Sequence, residues 1–94
     1  MTRDPVYRNL RCQVQALLDR DAPHACVLIE VDWEASPAVR EEGKVVCIAR
    51  DDLSGRYNVW TVGFIGTEPS NLNNGRYDIA LTTASAEMDQ RLWR

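Results

Sequence analysis

Residues Lys44–Gly66, KVVCIARDDLSGRYNVWTVGFIG, decide the fold of this chain. Two segments rich in β-branched and aromatic residues, Lys44–Arg50 and Arg56–Gly66, flank the turn-forming residues Asp51–Gly55. β-Branched and aromatic residues favour strands, and turn residues between two such segments favour a hairpin. The stretch therefore predicts two antiparallel strands joined by a short turn.

Each strand of this predicted hairpin is largely apolar on both of its faces. In the first strand, alternate positions give the two sets Val45, Cys47, Ala49 and Val46, Ile48, Arg50. In the second strand, they give Trp60, Val62, Phe64 and Tyr57, Val59, Thr61, Ile65. Strands that are apolar on both faces usually lie in the centre of a sheet and are covered on both sides. The hairpin is therefore expected at the centre, and each of its faces needs a cover.

A helix is predicted before the hairpin, over residues 5–20. Asp4 and Pro5 suit the start of a helix, whereas Pro23 favours extended backbone in the residue before it. Apolar residues recur with the spacing of one helix face at Val6, Leu10, Val14, Leu17 and Leu18. This apolar stripe is expected to pack on one face of a sheet or on another chain.

The other predicted elements are a strand over 25–34, a short helical turn over 37–42, a strand over 76–83 and a C-terminal helix over 84–94. A strict period of two in the 25–34 strand places Cys26, Leu28 and Glu30 on one face. The connection to the hairpin is short for a parallel crossover, which favours antiparallel pairing.

These elements predict a single α+β domain over residues 1–94. An antiparallel sheet of about four strands has the N-terminal helix packed on one face and a short C-terminal helix at an edge or on the second face. One long helix covers only one face of the hairpin. The remaining apolar surface therefore predicts a homodimer that forms through a face or an edge of the sheet.

The composition, with 45% hydrophobic and 27% charged residues, is that of a soluble globular protein. No apolar run approaches the ~20 residues that cross a membrane, and the N-terminus has no apolar region that could serve as a signal peptide, so the cytoplasm is the expected location. Cys12, Cys26 and Cys47 match no zinc or disulfide spacing and are expected to pack as thiols. No cofactor motif or metal motif occurs, and neither kind of group is expected.

Direct binding of nucleic acid is not expected either. The chain has 14 acidic and 11 basic residues, and the basic residues form no stripe along which a phosphate backbone could run. Aromatic side chains that stack on a single strand also need basic residues along the same face. The net charge of −3 instead favours a partner with a basic surface.

Glu30, Asp32 and Glu34, which we call the acidic row, are the sharpest polar feature of the sequence. Alternate strand positions place the three carboxylates on one face, each about 7 Å from the next. The row is interpreted as the solvated outer face of a half-buried strand, as a contact for an Arg- or Lys-rich partner, or as part of a divalent-cation site.

Aromatic residues supply the other candidate contacts. Trp is favoured where binding energy concentrates, so Trp60 and Trp93 join the acidic row as candidate partner-binding residues. The alternative is a small-ligand pocket between sheet and helix or between protomers, lined by Tyr57, Trp60 and Tyr77.

An enzyme is not expected. His24 is the single histidine, and acid–base catalysis would need a group that positions it. Only a cluster of His24 with Asp or Cys side chains would support catalysis.

The sequence therefore favours a small acidic protein-binding module that acts as an inhibitor or adaptor on a larger protein or nucleoprotein assembly. Small phage-encoded antagonists of host defence and immunity proteins share this general profile, which is an analogy of type. The alternative function is that of a homo-oligomeric domain that binds a small ligand.

Overall fold

The computed structural model describes residues 5–22, 24–33, 45–65 and 68–92. In chain order, its elements are α1 (Pro5–Asp21), β1 (Cys26–Trp33), β2 (Val45–Asp51), β3 (Tyr57–Ile65), β4 (Glu68–Ile79) and α2 (Leu81–Leu92). The strands form one antiparallel sheet in the order β1-β2-β3-β4, which confirms the predicted α+β fold. The helical turn expected over 37–42 lies outside the described residues. Neither described helix is long and apolar enough to pass through a membrane.

The predicted hairpin forms the centre of the sheet. β2 and β3 pair antiparallel, from Arg50 opposite Tyr57 to Val45 opposite Val62. The turn between the two strands ends at Gly55, whose φ of 74° lies in the left-handed region that glycine adopts without strain. β1 and β4 flank the hairpin, so both of its strands are internal.

The two helices cover opposite faces of the sheet. The α1-side layer contains Leu10, Val14, Leu17 and Leu18 of the helix and Cys26, Leu28, Val31, Val45, Cys47, Ala49, Trp60 and Val62 of the sheet. The α2-side layer contains Ala84, Met88 and Leu92 of the helix and Val46, Ile48 and Val59 of the hairpin. The alternation that the sequence predicted for the hairpin is thus confirmed on both of its faces.

α2 removes the reason for which a homodimer was expected. The sequence placed a strand over 76–83, but β4 ends at Ile79 and α2 already begins at Leu81. The three buried residues of α2 are spaced by four positions, so they form one stripe that packs on the hairpin. The expectation of an uncovered apolar face was therefore wrong, because the chain covers that face itself.

β1 departs from strict alternation because it contains a bulge. Its pairing with β2 shifts between Leu28 and Glu30, so Ile29 is an extra residue in β1. Leu28 packs in the α1-side layer, whereas Glu30 pairs with Ile48 of the α2-side layer. The predicted common face of Cys26, Leu28 and Glu30 is therefore wrong, since a shift of one residue exchanges the two faces of a strand.

β4 is the other edge strand, and arginine side chains bond its backbone. Its pairing with β3 is irregular at three places, and two of its residues have left-handed φ values of 53° and 59°. A guanidinium group offers several donors in a planar fork, which suits the carbonyl groups of such an irregular strand. The bonded carbonyl groups are those of Ser70, Asn74 and Asp78, which accept from Arg20, Arg91 and Arg56, respectively.

Candidate binding cleft

Asp51, the last residue of β2, organises the turn to β3. Its Oδ1 accepts hydrogen bonds from the backbone amides of Leu53 at 2.8 Å and Ser54 at 3.3 Å. Its carbonyl oxygen accepts a further hydrogen bond from Gly55 N at 2.8 Å. A short side chain that bonds the amides just ahead of it is a common way to fix a turn, and it explains why Asp stands at this position.

The second carboxylate oxygen of Asp51 holds His24. Nδ1 of the imidazole lies 2.9 Å from Asp51 Oδ2. Asp51 is only 7% exposed, yet the hydrogen bond with His24 and those from the turn amides lower the pKa of its carboxyl group. An ionised carboxylate only accepts hydrogen bonds, so Nδ1 of His24 is the donor of this one. The His24 side chain is half-exposed, which leaves it accessible to a bound molecule.

Asn58 of β3 connects two other segments at this end of the sheet. The residue is 3% exposed. Its Oδ1 accepts a hydrogen bond from Asp78 N at 3.0 Å, and its Nδ2 lies 3.8 Å from Cys26 Sγ. The first bond fixes the left-handed backbone of Asp78. The second has a thiol sulfur as its acceptor, which is a weak one, so the buried amide retains capacity to donate.

Trp60 and Tyr77 form an aromatic pair. Their ring centroids are 5.6 Å apart with an interplanar angle of 74°, and Trp60 Nε1 donates a hydrogen bond to the Tyr77 hydroxyl at 3.2 Å. Trp60 is 2% exposed and Tyr77 is 53% exposed, so a buried ring holds an exposed one in place. Gly75 permits this arrangement, because a Cβ there would collide with the Tyr77 hydroxyl and with Trp60 Nε1.

A cleft of about 300 Å³ lies at this end of the sheet. It is lined by His24, Asp51, Ser54, Asn58, Tyr77 and Asp78. The volume is at the lower limit of small-molecule sites and suits one side chain or one small ligand. Two grooves of about 340 and 420 Å³ lie beside α1, but the smaller cleft is the one lined by a buried carboxylate and a buried amide.

The charges of the cleft favour a neutral or cationic occupant. Asp51 and Asp78 both line it. Asp78 Oδ1 lies 3.3 Å from Arg56 Nε, which offsets part of its charge, and His24 offsets the charge of Asp51 only when it is protonated. An anion would meet two carboxylates, whereas an amine or guanidinium would be attracted to them.

The pair of His24 and Asp51 is the cluster that would support acid–base chemistry, but no nucleophile completes it within the described residues. Ser54 lines the same cleft, yet its Oγ accepts a hydrogen bond from Arg56 N at 3.2 Å, and no hydrogen bond joins it to the imidazole. Burial raises the pKa of the Cys26 thiol, which disfavours the reactive thiolate.

The structure describes two of the three members of the acidic row, Glu30 and Asp32. Glu30 and Asp32 pair with residues of β2 that belong to the α2-side layer, so they share a face as predicted. Oε1 of Glu30 accepts a hydrogen bond from Val31 N at 3.0 Å and lies 3.9 Å from Arg11 Nη1. Asp32 is exposed, and Glu34 lies outside the described residues. Glu30 therefore has a role within the chain.

The predicted aromatic residues do not meet in one pocket. Tyr57 packs against the α2-side layer, whereas Trp60 belongs to the α1-side layer. Tyr77 lines the cleft with Trp60 bonded to its hydroxyl. Because Trp60 is buried, it is not an exposed contact for a partner. Trp93 lies outside the described residues.

Sequence reasoning considered Asp51 and Asp78 only as further oxygen ligands of a cation site with the acidic row, and it missed Asn58 as a site residue. Asp51 and its partner His24 are 27 residues apart, and nothing in the pattern shows that they meet. Asn58 gave a usable signal, because it is a polar residue at a buried position of a central strand. Such residues require internal hydrogen bonds, which indicates a polar site nearby.

The cleft thus combines an imidazole, an amide donor, a tyrosine hydroxyl and two carboxylates. Within the part of the chain that the structure describes, no group of three His, Cys, Asp or Glu side chains is placed to hold a metal ion. No known protein family, curated protein or solved structure matches this chain.

Proposed function

We propose that this chain is a small protein-binding module that acts as an inhibitor or adaptor on a larger protein or nucleoprotein assembly, and that the partner contacts the cleft end of the sheet. The main support is the exposure of apolar side chains there: Leu53 is 79% exposed and Tyr77 is 53% exposed. Leu53 belongs to the same turn as Ser54, which lines the cleft with Tyr77. Exposed apolar side chains around a polar pocket are typical of protein-binding sites.

The charge of this surface indicates the chemistry of the partner. Asp51 and Asp78 line the cleft, and the exposed Asp52 follows in the turn. A basic side chain of the partner would complement these carboxylates, while an apolar surface beside it would rest on Leu53 and Tyr77. The proposed partner is thus a protein with a basic and partly apolar surface. The acidic row also favoured a basic partner, but it lies on β1 rather than at the cleft.

Both flanks of the proposed surface are held in position before binding. Asp51 fixes the turn that carries Leu53, and Trp60 holds the hydroxyl of Tyr77. A surface that is already ordered loses little conformational freedom when it binds. The predicted homodimer is not part of this proposal, because α2 covers the face from which it was inferred.

Two exposed aliphatic residues provide a matched test. Leu53 is 79% exposed beside the cleft, and Ile65 is 76% exposed at the other end of β3. The test captures proteins from a lysate with three forms of the chain, each tagged at either terminus in turn: wild type, Leu53→Ser and Ile65→Ser. The affinity of each form for the captured protein is then measured by titration. We expect Ile65→Ser to bind like wild type and Leu53→Ser to bind about tenfold more weakly, the effect of losing one important contact.

Two results would contradict this proposal. One is that neither tagged form of the wild type recovers a specific partner. The other is that Leu53→Ser and Ile65→Ser bind a recovered partner equally well, because the cleft end would then have no special role.

Binding of a small ligand has separate support in Asn58. Among the described residues, its buried Nδ2 has one partner, the sulfur of Cys26 at 3.8 Å, although buried donors usually have stronger acceptors. A neutral or cationic ligand with a carbonyl or ring acceptor would fit the cleft and could stack on Tyr77.

A thermal-shift screen with nucleosides and cationic metabolites tests this second function. A ligand that binds the folded protein raises the melting temperature through mass action. We expect a true ligand of the cleft to shift wild type and Leu53→Ser alike and to lose its effect on Tyr77→Ser. If none of the compounds shifts the wild type, or if Tyr77→Ser responds like wild type, the cleft is not a small-ligand site.

A further inference from the structure

The buried amide of Asn58 connects the two segments that carry the carboxylates of the cleft. Its Oδ1 accepts the hydrogen bond from Asp78 N at 3.0 Å. Its Nδ2 lies 3.8 Å from the sulfur of Cys26, and Cys26 is paired with Asp51 across β1 and β2. The side chains of Asp51, Asn58 and Asp78 all line the cleft. The cleft therefore brings one amide donor together with two carboxylates.

The donor, Asn58 Nδ2, has capacity for a further acceptor. A primary amide nitrogen carries two N–H groups, and a thiol sulfur is a weak acceptor. Among the described residues, the Cys26 sulfur is the one acceptor of Nδ2, although Asn58 is only 3% exposed. Buried donors usually have stronger partners than this. An acceptor on a bound molecule would complete the hydrogen bonds of this amide.

The two carboxylates have capacity for further donors. The Asp78 side chain is 70% exposed, and the one cation near it in the described part of the chain is Arg56, with Nε 3.3 Å from Oδ1. Asp51 Oδ2 is bonded to His24, and each carboxylate oxygen can accept two hydrogen bonds. A positively charged donor would therefore be bound by both of these groups.

A free amino terminus of a polypeptide supplies both kinds of group at once. Its α-ammonium group is charged at neutral pH and donates hydrogen bonds, and the first carbonyl group of the chain is an acceptor directly beside it. Lysine and arginine side chains carry donors only, so they would leave Asn58 Nδ2 without a better acceptor. A free amino acid would bring a carboxylate in place of the first peptide group, and Asp51 and Asp78 would repel it.

We propose that the cleft binds the free amino terminus of the partner protein. The α-ammonium group lies at Asp51 and Asp78, and the first carbonyl oxygen accepts from Asn58 Nδ2. This inference rests on the proposed function, because it names the part of the partner that enters the cleft. The volume of about 300 Å³ suits one terminal residue, whose side chain would contact the exposed ring of Tyr77. Capture of a terminal amine is a recurring mode of peptide recognition.

Titration with four small compounds, followed by nuclear magnetic resonance, tests the chemistry of this site. The probe is leucyl-glycyl-glycine amide, and its controls are the same peptide acetylated at the amino terminus, Nα-acetyl-lysine methylamide and free leucine. We expect the probe to shift the signals of the Asn58 side-chain amide and the Asp78 backbone amide. Each control should bind at least about tenfold more weakly. A control that binds as tightly as the probe would overturn the inference, as would a probe that leaves the Asn58 amide signals unchanged.

Two variants test the position of the site. Asp78→Asn removes one carboxylate from the cleft, and Asn tolerates the left-handed backbone of this position, where φ is 59°. Asp89→Asn is the matched control, because it removes the same charge from an exposed position of α2. We expect Asp78→Asn to bind the probe roughly threefold more weakly than wild type, the effect of one exposed charge pair, and Asp89→Asn to bind like wild type. Equal affinities of the two variants would contradict the placement at the cleft.

The inference and the proposed function fail separately. If a captured partner binds with the expected dependence on Leu53 and keeps its affinity after its amino terminus is acetylated, the inference is wrong and the proposed function stands. If no partner is captured, the proposed function is wrong, and the titration with the four compounds still decides whether the cleft binds an amino terminus.

Discussion

His24 and Asp51 join the segment before β1 to the β2–β3 turn through one hydrogen bond of 2.9 Å. That bond is the main reason why the pKa of Asp51 is lowered, and the amides of Leu53 and Ser54 add to it. A carboxylate with a lowered folded-state pKa stabilises the fold above its unfolded pKa of about 4, and this stabilisation is lost as the pH falls through the folded pKa. Asp51 therefore contributes to acid unfolding.

We expect His24→Ala to be less stable than wild type at pH 5 and the two proteins to become more alike towards pH 2. The variant loses the hydrogen bond that lowers the pKa of Asp51, and this bond no longer stabilises wild type once the carboxylate is protonated. Urea unfolding at a series of pH values measures the difference. A difference that stays constant down to pH 2 would show that His24 acts through packing alone.

We expect Tyr77→Phe to lower the free energy of unfolding by about 1 kcal/mol, because it removes the hydrogen-bond partner of the buried Trp60 Nε1. Tyr57→Phe is the control, since the Tyr57 hydroxyl has no hydrogen bond among the described residues. Urea unfolding followed by tryptophan fluorescence measures both variants. An equal loss of stability in both would argue that the Trp60–Tyr77 bond contributes nothing of its own.

At the scale of the elements, α2 covers the second face of the hairpin, so both faces of the hairpin are packed by helices of the same chain. We expect Met88→Ala to lower the free energy of unfolding by about 2–5 kcal/mol, the usual range for removing a buried Met side chain. Gln90→Ala, on the exposed side of the same helix, should change it by no more than about 0.5 kcal/mol. Urea unfolding of the three proteins tests this, and equal stability of Met88→Ala and wild type would contradict the packing of α2 on the sheet.

Periodicity predicted the hairpin correctly but not the edge strands. β2 pairs with β3 without a bulge, so successive residues alternate regularly between the two faces of the sheet. The two faces could therefore be read directly from the sequence. In β1, Ile29 is inserted at a bulge, and in β4 the pairing is irregular at three places. Bulges depend on how two strands meet, so alternation within one strand does not reveal them.

The cleft was even less accessible to prediction. Its residues come from the segment before β1, from the β2–β3 turn, from β3 and from β4, and each has an ordinary explanation when taken alone. Asp51 reads as a turn residue, and His24 as an exposed residue beside Pro23. The net charge of the chain predicts a basic partner. The position of the carboxylates at this end of the sheet follows only from the fold.

At the scale of the whole molecule, the chain covers its own sheet. α1 and α2 pack on the two faces, Gln15 and Arg11 bond the backbone of β1 at one edge, and arginine side chains bond the carbonyl groups of β4 at the other. The exposed apolar side chains beside the cleft are the contact that we propose for a partner. A chain that covers itself in this way should not need a second copy to be stable.

Sedimentation velocity of the wild-type chain over a wide range of concentrations tests this claim most directly. We expect a single species with the monomer mass of 10.7 kDa throughout. A dimer that persists on dilution would contradict the claim, because it would require a large apolar face or an open sheet edge.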